Sequence, residues 1–338
     1  MVPVELGADW DALVHKSSEG TIFSLTAMVE ALSVPARPFL CRRGDQTVAG
    51  LLTFSLGALD FVWSDFLVYG GIMFSPPDRK QNRAQISSDR LIISQFIVGW
   101  LTNKFDSFSF PGTPEFDDWR AFLWHNHGSN NNRIDVELRY TSVIDLVAGG
   151  SPEFTDNLSQ NPLALQLAKS RRQVIRYGLA EDFSVRLSES SLPLVRLVGE
   201  TFERQGLDFS SEYAQILEGV CYSLTSAGLA NIWILTDSLG RDVAAALIGI
   251  DQKRAYYLFG GGSGIDRSET AGSVLMWRII NALAQQGITE LDLEGINSPA
   301  RGYFKTSFGG RIVPYHRVRY PAIPENHDSA NPVSGSER

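Results

Sequence analysis

Three apolar runs stand close together at residues 232–235, 243–250 and 255–259. Only Asp237-Ser238-Leu239-Gly240 and Gln252-Lys253-Arg254 mark the close turns between them. Runs this short with connectors this tight fold as an antiparallel strand meander. The chain beyond it is constrained in the same way. Gly260-Gly261-Gly262 leads into a helix over 271–286, with Leu275, Ile279, Ala282 and Leu283 on one stripe and Gly287 placed to stop it. Leu291, Asp292, Leu293 and Glu294 then alternate apolar and acidic, which predicts a strand with opposite faces. A short helix near 301–307 and a strand over 312–320 follow. Ahead of the meander the pattern predicts a strand at 183–187 and helices at 192–205 and 211–226.

The first half has nearly the same order, more faintly. Helices are expected at 9–16 and 25–32, strands at 39–42, 46–52 and 66–69, and a longer helix at 90–101. A strand at 107–110, a helix at 117–124 and a strand at 136–145 complete it. The repeated order points to a duplicated fold of mixed α/β type, without useful residue identity between the halves. A Gly149-Gly150-Ser151-Pro152 cluster marks the division, giving domains over 1–150 and 151–320. Residues 321–338 are rich in Pro, Asn, Ser and charge and are expected to be a disordered tail.

A chain of 338 residues with 43% hydrophobic and 20% charged residues is long enough for two folded domains. Its net charge of -8 argues against a nucleic-acid coat, and no DNA partner is expected. Cys41 and Cys221 fall one to each half, which argues against a disulfide framework and for a reducing compartment. The start of the chain has no signal-peptide pattern. The most apolar stretch, 50–71, is interrupted by Asp60 and Asp65, so strands are expected there and no transmembrane segment. A cytoplasmic protein is the expectation, with a working place at the inner membrane surface left open. The histidines show no metal spacing, so no zinc site is expected.

Three places have chemistry to offer. The glycine run after Phe259 is a strand-to-helix turn that can turn backbone N–H groups and a helix start toward an anion. It fails as a P-loop, as G-x-G-x-x-G and as a nucleophile elbow around Ser263, because Ile265 stands where glycine is needed. By glycine count alone, a flexible turn is the simpler reading. Next come Asp292 and Glu294, then Lys305 between Gly302 and Gly309. Taken singly these are solvated acids and an exposed lysine. Flanked by Phe304 and Phe308, the lysine is expected at the rim of an apolar site. Last is Lys169-Ser170-Arg171-Arg172-Gln173-Val174-Ile175-Arg176, where Arg172 and Arg176 share a helical face. It reads equally as an anion site or a solvated face.

Together the meander, Gly260-Gly261-Gly262-Ser263, Arg267, Leu275-Met276-Trp277, Asp292-Leu293-Glu294-Gly295 and Phe304-Lys305-Thr306-Ser307-Phe308-Gly309-Gly310 resemble the FemAB-like branch of the GNAT superfamily. These are peptidoglycan interpeptide-bridge aminoacyltransferases and their N-acyltransferase relatives. The resemblance extends to Arg171–Arg176, to 117–122 and 139–146, and so covers roughly 10–320. It implies two tandem GNAT-like domains and an N-acyltransferase that moves an aminoacyl or small acyl group. The acceptor would be an amine of a cell-envelope precursor, either a peptidoglycan stem peptide or a nucleotide amino sugar. No tightly bound cofactor is implied, and the donor is aminoacyl-tRNA or acyl-CoA. Two departures stand out. The CoA-cradling Arg/Gln-x-x-Gly-x-Gly/Ala loop of ordinary GNAT acetyltransferases corresponds to Arg267–Gly272, where Thr270 replaces the first glycine and Glu269 adds a negative charge. The long charged heptad insertion of some bridge-forming enzymes is also missing.

The mechanism expected from this places Lys305 on the oxyanion, assisted by a backbone N–H near Phe259, Gly260 or Gly261; one such donor is worth roughly 3 kcal/mol of barrier. Asp292 or Glu294 takes the proton from the amine. Arg171, Arg172 and Arg176 hold phosphates or carboxylates, and Ser263, Arg267, Asn297 and Phe304 line the substrate site, with the acceptor in a groove between the domains. Two rivals remain at this point: an acyl-CoA-dependent N-acetyltransferase of a sugar or metabolite amine, and a non-catalytic binder of the same fold. The oligomeric state is not legible.

Overall fold

The computed structural model describes residues 1–32, 34–54, 60–61, 63–64, 66–147, 158–264 and 268–322. The Gly/Ser/Pro break at 149–152, the tail beyond 322 and Arg267 lie outside them. The chain divides into two compact units. One comprises Met1–Gly20, Val34–Leu138 and Tyr315–Arg338, the other Thr21–Ser33 and Arg139–Pro314. Neither is a single consecutive half of the chain.

In the first unit, β1 (Val2–Pro3) is followed by α1 (Ala8–Lys16). A short helix, α2 (Thr26–Glu30), belongs to the second unit. The first unit resumes with β2 (Ala36–Arg43), β3 (Gln46–Phe54), β4 (Asp60–Phe61) and β5 (Ile72–Phe74). Strands β1, β2, β3 and β5 form an antiparallel four-stranded sheet. The strand expected at 66–69 is absent. The chain turns there instead: Leu67 N–H donates to Ser64 O, and the Trp63 indole donates to Leu67 O at 2.7 Å. Those apolar residues are buried by a folded-back loop, and the pairing role passes to β5. Helix α3 (Arg83–Lys104) is longer than expected because Asn82 and Gln85 form a capping box ahead of it. It buries Ile93, Ile97, Val98 and Leu101. β6 (Ser107–Pro111) and the short α4 (Arg120–Leu123) follow, and β7 (Asp135–Asp145) leads into the second unit.

The second unit continues with α5 (Lys169–Gly178), β8 (Ser184–Ser188), α6 (Leu192–Arg204), α7 (Ser211–Ser226), β9 (Ala230–Thr236), β10 (Asp242–Ile250) and β11 (Ala255–Gly262). Then come α8 (Ala271–Gln285), β12 (Glu290–Gly295), α9 (Pro299–Thr306) and β13 (Arg311–Tyr320). Strand order in this unit is β7-β12-β11-β10-β9-β8. β11 and β12 are parallel, whereas β12 with β7, β11 with β10, β10 with β9 and β9 with β8 are antiparallel, so the sheet is mixed. β10 is buried from Val243 to Ile248, as a central strand covered on both faces must be. Trp277, Ile279 and Leu283 of α8 pack on it with full burial. The early segment 21–32 is tied into this unit by specific bonds. Ile22 N–H donates to Asp251, the Ser223 hydroxyl donates to Ala27 O, and Phe23 meets Tyr256 edge-on at 5.5 Å.

Candidate active site

The site begins where two parallel strands part. β11 and β12 pair only at Ala255 with Leu291 and at Tyr256 with Asp292. β11 nevertheless stays paired to β10 as far as Gly262. Beyond Tyr256 its other edge therefore faces a gap at the carboxyl ends of the parallel pair. That is where open α/β sheets place their ligands. Both strands are also bulged at the opening. Tyr257 and Phe259 sit opposite Ile248 and Leu247, leaving Leu258 as an extra residue. On β12, Asp292 pairs with Val143 but Gly295 with Thr141, again one residue too many. Bulges re-aim side chains beside them. Here the re-aimed residue is Glu294, held at φ 62. A non-glycine residue in that left-handed region marks a position that the surroundings must enforce.

Four groups meet at this opening. Glu294 is 6% exposed, and its Oε1 has no hydrogen-bond partner among the described residues. Burial pushes its carboxyl well above the usual glutamate range, and the Asp292 charge adds to the rise while Lys305 opposes it. Lys305 reaches from α9 to donate to Gly295 O at 3.2 Å, and its ammonium lies 5.9 Å from the Tyr257 ring centre. Burial pulls its amine below the usual lysine range, with the charges of Glu294 and Asp292 holding it up. Tyr257 is pushed up to about 12 by burial and by Glu294, so it stays protonated. Asp292 is fully buried. Its Oδ1 accepts from the Thr141 hydroxyl at 2.5 Å and from Glu294 N–H at 2.7 Å. The strand expected to carry its acids on a polar face instead buries Leu291, Asp292, Leu293 and Glu294 alike.

The glycine run is something else. A Cβ on Gly260 would sit 1.7 Å from the Tyr257 hydroxyl, and one on Gly261 would sit 2.3 Å from the Leu197 carbonyl carbon. These glycines let an aromatic ring and the backbone of α6 come close. Of the two readings of the run, anion cradle or plain turn, the donors from Gly262 onward already have partners within the protein. Gly262 N–H donates to Thr201, Ser263 N–H to Val243 O, and Gly264 N–H and the Ser263 hydroxyl to Glu200. Arg204 covers the carbonyls of Gly262 and Ser263. At the start of α8, Thr270 and Ala271 N–H both donate to the Ser268 hydroxyl, and the Thr270 hydroxyl donates to the Glu181 carboxylate at 2.6 Å. Phe259 and Gly260 continue the ladder to Leu247 and Ala246.

The arginines divide. Arg171 turns inward. Its guanidinium lies 4.7 Å from the Phe304 ring centre and 4.9 Å from that of Phe308, and it donates to Ser307 and Ser273. The two phenylalanines expected to flank Lys305 therefore clasp Arg171: Phe304 near the end of α9 and Phe308 just beyond it meet edge-on at 5.2 Å and turn to the guanidinium. Arg172 is half-buried and Arg176 exposed. Neither side chain has an ion-pair or hydrogen-bond partner among the described residues. Asn297 bonds both backbone groups of Tyr140, at 2.8 Å and 3.2 Å, and so extends the strand pairing. Both cysteines are buried, and burial pushes Cys221 up to about 12, which makes it a poor nucleophile. Among the described residues no cluster of His, Cys, Asp and Glu can hold a metal, and no helix is long and apolar enough to cross a membrane. Tyr257 and Thr141 are the participants that sequence reasoning missed.

A buried acid and a half-buried lysine facing a gap between parting parallel strands suit group transfer, and the comparisons with known proteins agree. The family model described as acetyltransferase (GNAT) domain matches residues 166–305. That stretch runs from just before α5 to Lys305 itself. The match to a GNAT acetyltransferase domain is confined to that stretch of the second unit, and it makes the protein an acyltransferase. No curated protein sequence matches the chain. Among solved structures it is similar to FemX, at 13% identity and TM-score 0.64, over 94% of this chain and 97% of that one. It is also similar to the C-terminal domain described as that of a putative lysylphosphatidylglycerol synthetase from Agrobacterium fabrum, at 12% identity and TM-score 0.54, over 92% and 90%. A third is the tandem GNAT protein from the clavulanic acid biosynthesis pathway, at 10% identity and TM-score 0.51, over 94% and 96%. At these identities the likeness establishes the fold: a FemX-like, tandem-GNAT architecture.

Proposed function

We propose that the protein transfers an aminoacyl or other small acyl group to an amine of a cell-envelope precursor, using Glu294 and Lys305. The observation that carries this reading is the buried Glu294, whose charge acts on the half-buried Lys305 and whose Oε1 has no hydrogen-bond partner among the described residues. The neutral amine attacks the donor carbonyl. Its proton passes to the Glu294 carboxylate, and the oxyanion that forms is stabilised by the Lys305 ammonium. Collapse of the tetrahedral centre breaks the bond to the donor's oxygen or sulfur, and that leaving group takes the proton back from Glu294. Exclusion of water strengthens both interactions. The raised carboxyl of Glu294 makes it a better base near neutral pH than an ordinary glutamate.

The cell-envelope acceptor is supported by the fold shared with FemX and with the lysylphosphatidylglycerol synthetase domain. A peptidoglycan stem peptide or a nucleotide amino sugar is the class of acceptor, met on the cytoplasmic side. An aminoacyl donor is favoured over acyl-CoA by the start of α8, where Glu181 and the Ser268 hydroxyl take the places a pyrophosphate needs. Acyl-CoA stays as the second reading because the matching family model is an acetyltransferase domain.

The test supplies aminoacyl-tRNA or acetyl-CoA with amine acceptors of these classes and reads the amide product by mass spectrometry. Product from aminoacyl-tRNA that vanishes in Lys305→Met supports the proposal. Product with acetyl-CoA, together with saturable thermal stabilisation by it, moves the donor to the second reading. No product from either, with the cellular role intact in Lys305→Met, makes the protein a binder.

A further inference from the structure

Glu294 lies in a backbone conformation that glutamate does not choose, at φ 62, inside a bulge of β12. Something must hold it there. The nearest restraint is Asp292, two residues earlier on the same strand. One oxygen of its carboxylate takes the Glu294 N–H at 2.7 Å and the Thr141 hydroxyl at 2.5 Å. Thr141 is on β7, opposite Gly295 on the far side of the bulge. Thr141 and Asp292 have no exposed surface, so neither bond competes with water. Asp292 is therefore built to grip the bulge, and its Oδ1 is taken up by doing so.

We propose that Thr141 and Asp292 are positioning residues, a clasp that locks the bulge and so aims the Glu294 carboxyl into the gap beside Lys305. This rests on the reading of Glu294 as the proton acceptor. Asp292 touches neither amine nor donor in this assignment. It acts through Glu294 in two separable ways, by geometry through Oδ1 and by charge. The charged and titratable groups facing Glu294 are Asp292 from its own strand, Lys305 from α9 and Tyr257 from β11. Arg301, one turn before Lys305, acts on the lysine. From β7 the clasp contributes only the uncharged Thr141.

The experiment follows the isotope-labelled carboxyl resonance of Glu294, assigned by its loss in Glu294→Gln, through a pH titration of the free protein. It is paired with kcat and KM in the transfer assay with aminoacyl-tRNA. Thr141→Val should release the bulge, let the carboxyl reach water and bring its titration down toward the ordinary range, while Thr141→Ser restores it. Asp292→Asn keeps an acceptor oxygen but removes the charge, so the titration should also move to lower pH with the bulge intact. Asp292→Ala should lower kcat by about a hundredfold, the scale of an ångström's misplacement, with KM little changed. An unmoved Glu294 titration in both Thr141→Val and Asp292→Asn overturns the clasp. Should Asp292→Ala fail to fold, the Thr141 pair still decides. Full activity in Glu294→Gln would instead overturn the reading of Glu294, whatever the clasp does.

Discussion

Two ends of one strand region behave in opposite ways. At Gly260–Gly264 the chain is rich in glycine, and from Gly262 onward it is wrapped by Thr201, Glu200 and Arg204 of α6. At Asp292–Gly295 there is one glycine, and a buried glutamate oxygen has no hydrogen-bond partner among the described residues. The first region offers a glycine-rich turn in sequence, and in the structure its glycines pack closely against Tyr257 and α6. The second resembles an ordinary strand in sequence and holds the strained, desolvated groups. An unsatisfied buried group costs folding free energy, so it persists where function needs it. Glycine abundance has cheaper explanations.

The sharpest way to break this contrast is Lys305→Met. A loss of turnover of about 10²–10³-fold is expected, with the fold kept by circular dichroism and thermal melting; normal turnover would place the chemistry elsewhere. On the other side, Gly261→Ala should leave the chemistry alone and cost about 1–3 kcal/mol in urea unfolding, because its Cβ meets the α6 backbone. Equal stability there would mean the run is loose and its packing role is wrong. Glu294→Gln sharpens the contrast through pH. Glu294 holds its proton more tightly folded than unfolded. Its penalty to stability is therefore absent in acid and grows as pH rises from about 4.3 toward the raised folded value. The stability of Glu294→Gln relative to the parent should increase across that window, by about 1.4 kcal/mol per pKa unit of the rise. A flat difference would mean the carboxyl is not desolvated. The smallest effect is Arg172→Ala, within about 0.5 kcal/mol of the parent in stability. A higher KM for a phosphorylated acceptor would show that this arginine binds substrate, and an unchanged KM that it is only surface.

Much of the second unit was legible. The meander, the helix after it and the strand carrying Asp292 and Glu294 all stand where the apolar periodicity placed them, because close turns and a glycine stop leave few alternatives. The first unit was less so. The apolar run at 66–69 satisfied a strand pattern, yet Trp63 folded over it and the pairing passed to Ile72–Phe74. Lys305 and Glu294 could be named as candidates from residue type and spacing. Thr141, which lies 151 positions from Asp292, fell within a segment that resembles the family, but nothing in it pointed to this contact. Nor did the inward turn of Arg171, which sits among neighbours that look alike in the sequence.

By itself, then, the sequence determined the order of elements, the mixed α/β character and the presence of an acid–lysine set after a glycine run. Those depend on local periodicity and turn chemistry, which act over a few residues. Only the tertiary structure decided which acid is clasped and which is left unpartnered, which cation stacks on Phe304 and Phe308, and which glycines are spacers. Each of those outcomes depends on where strands part and which surfaces lose water, and both are set by contacts between residues far apart in the chain.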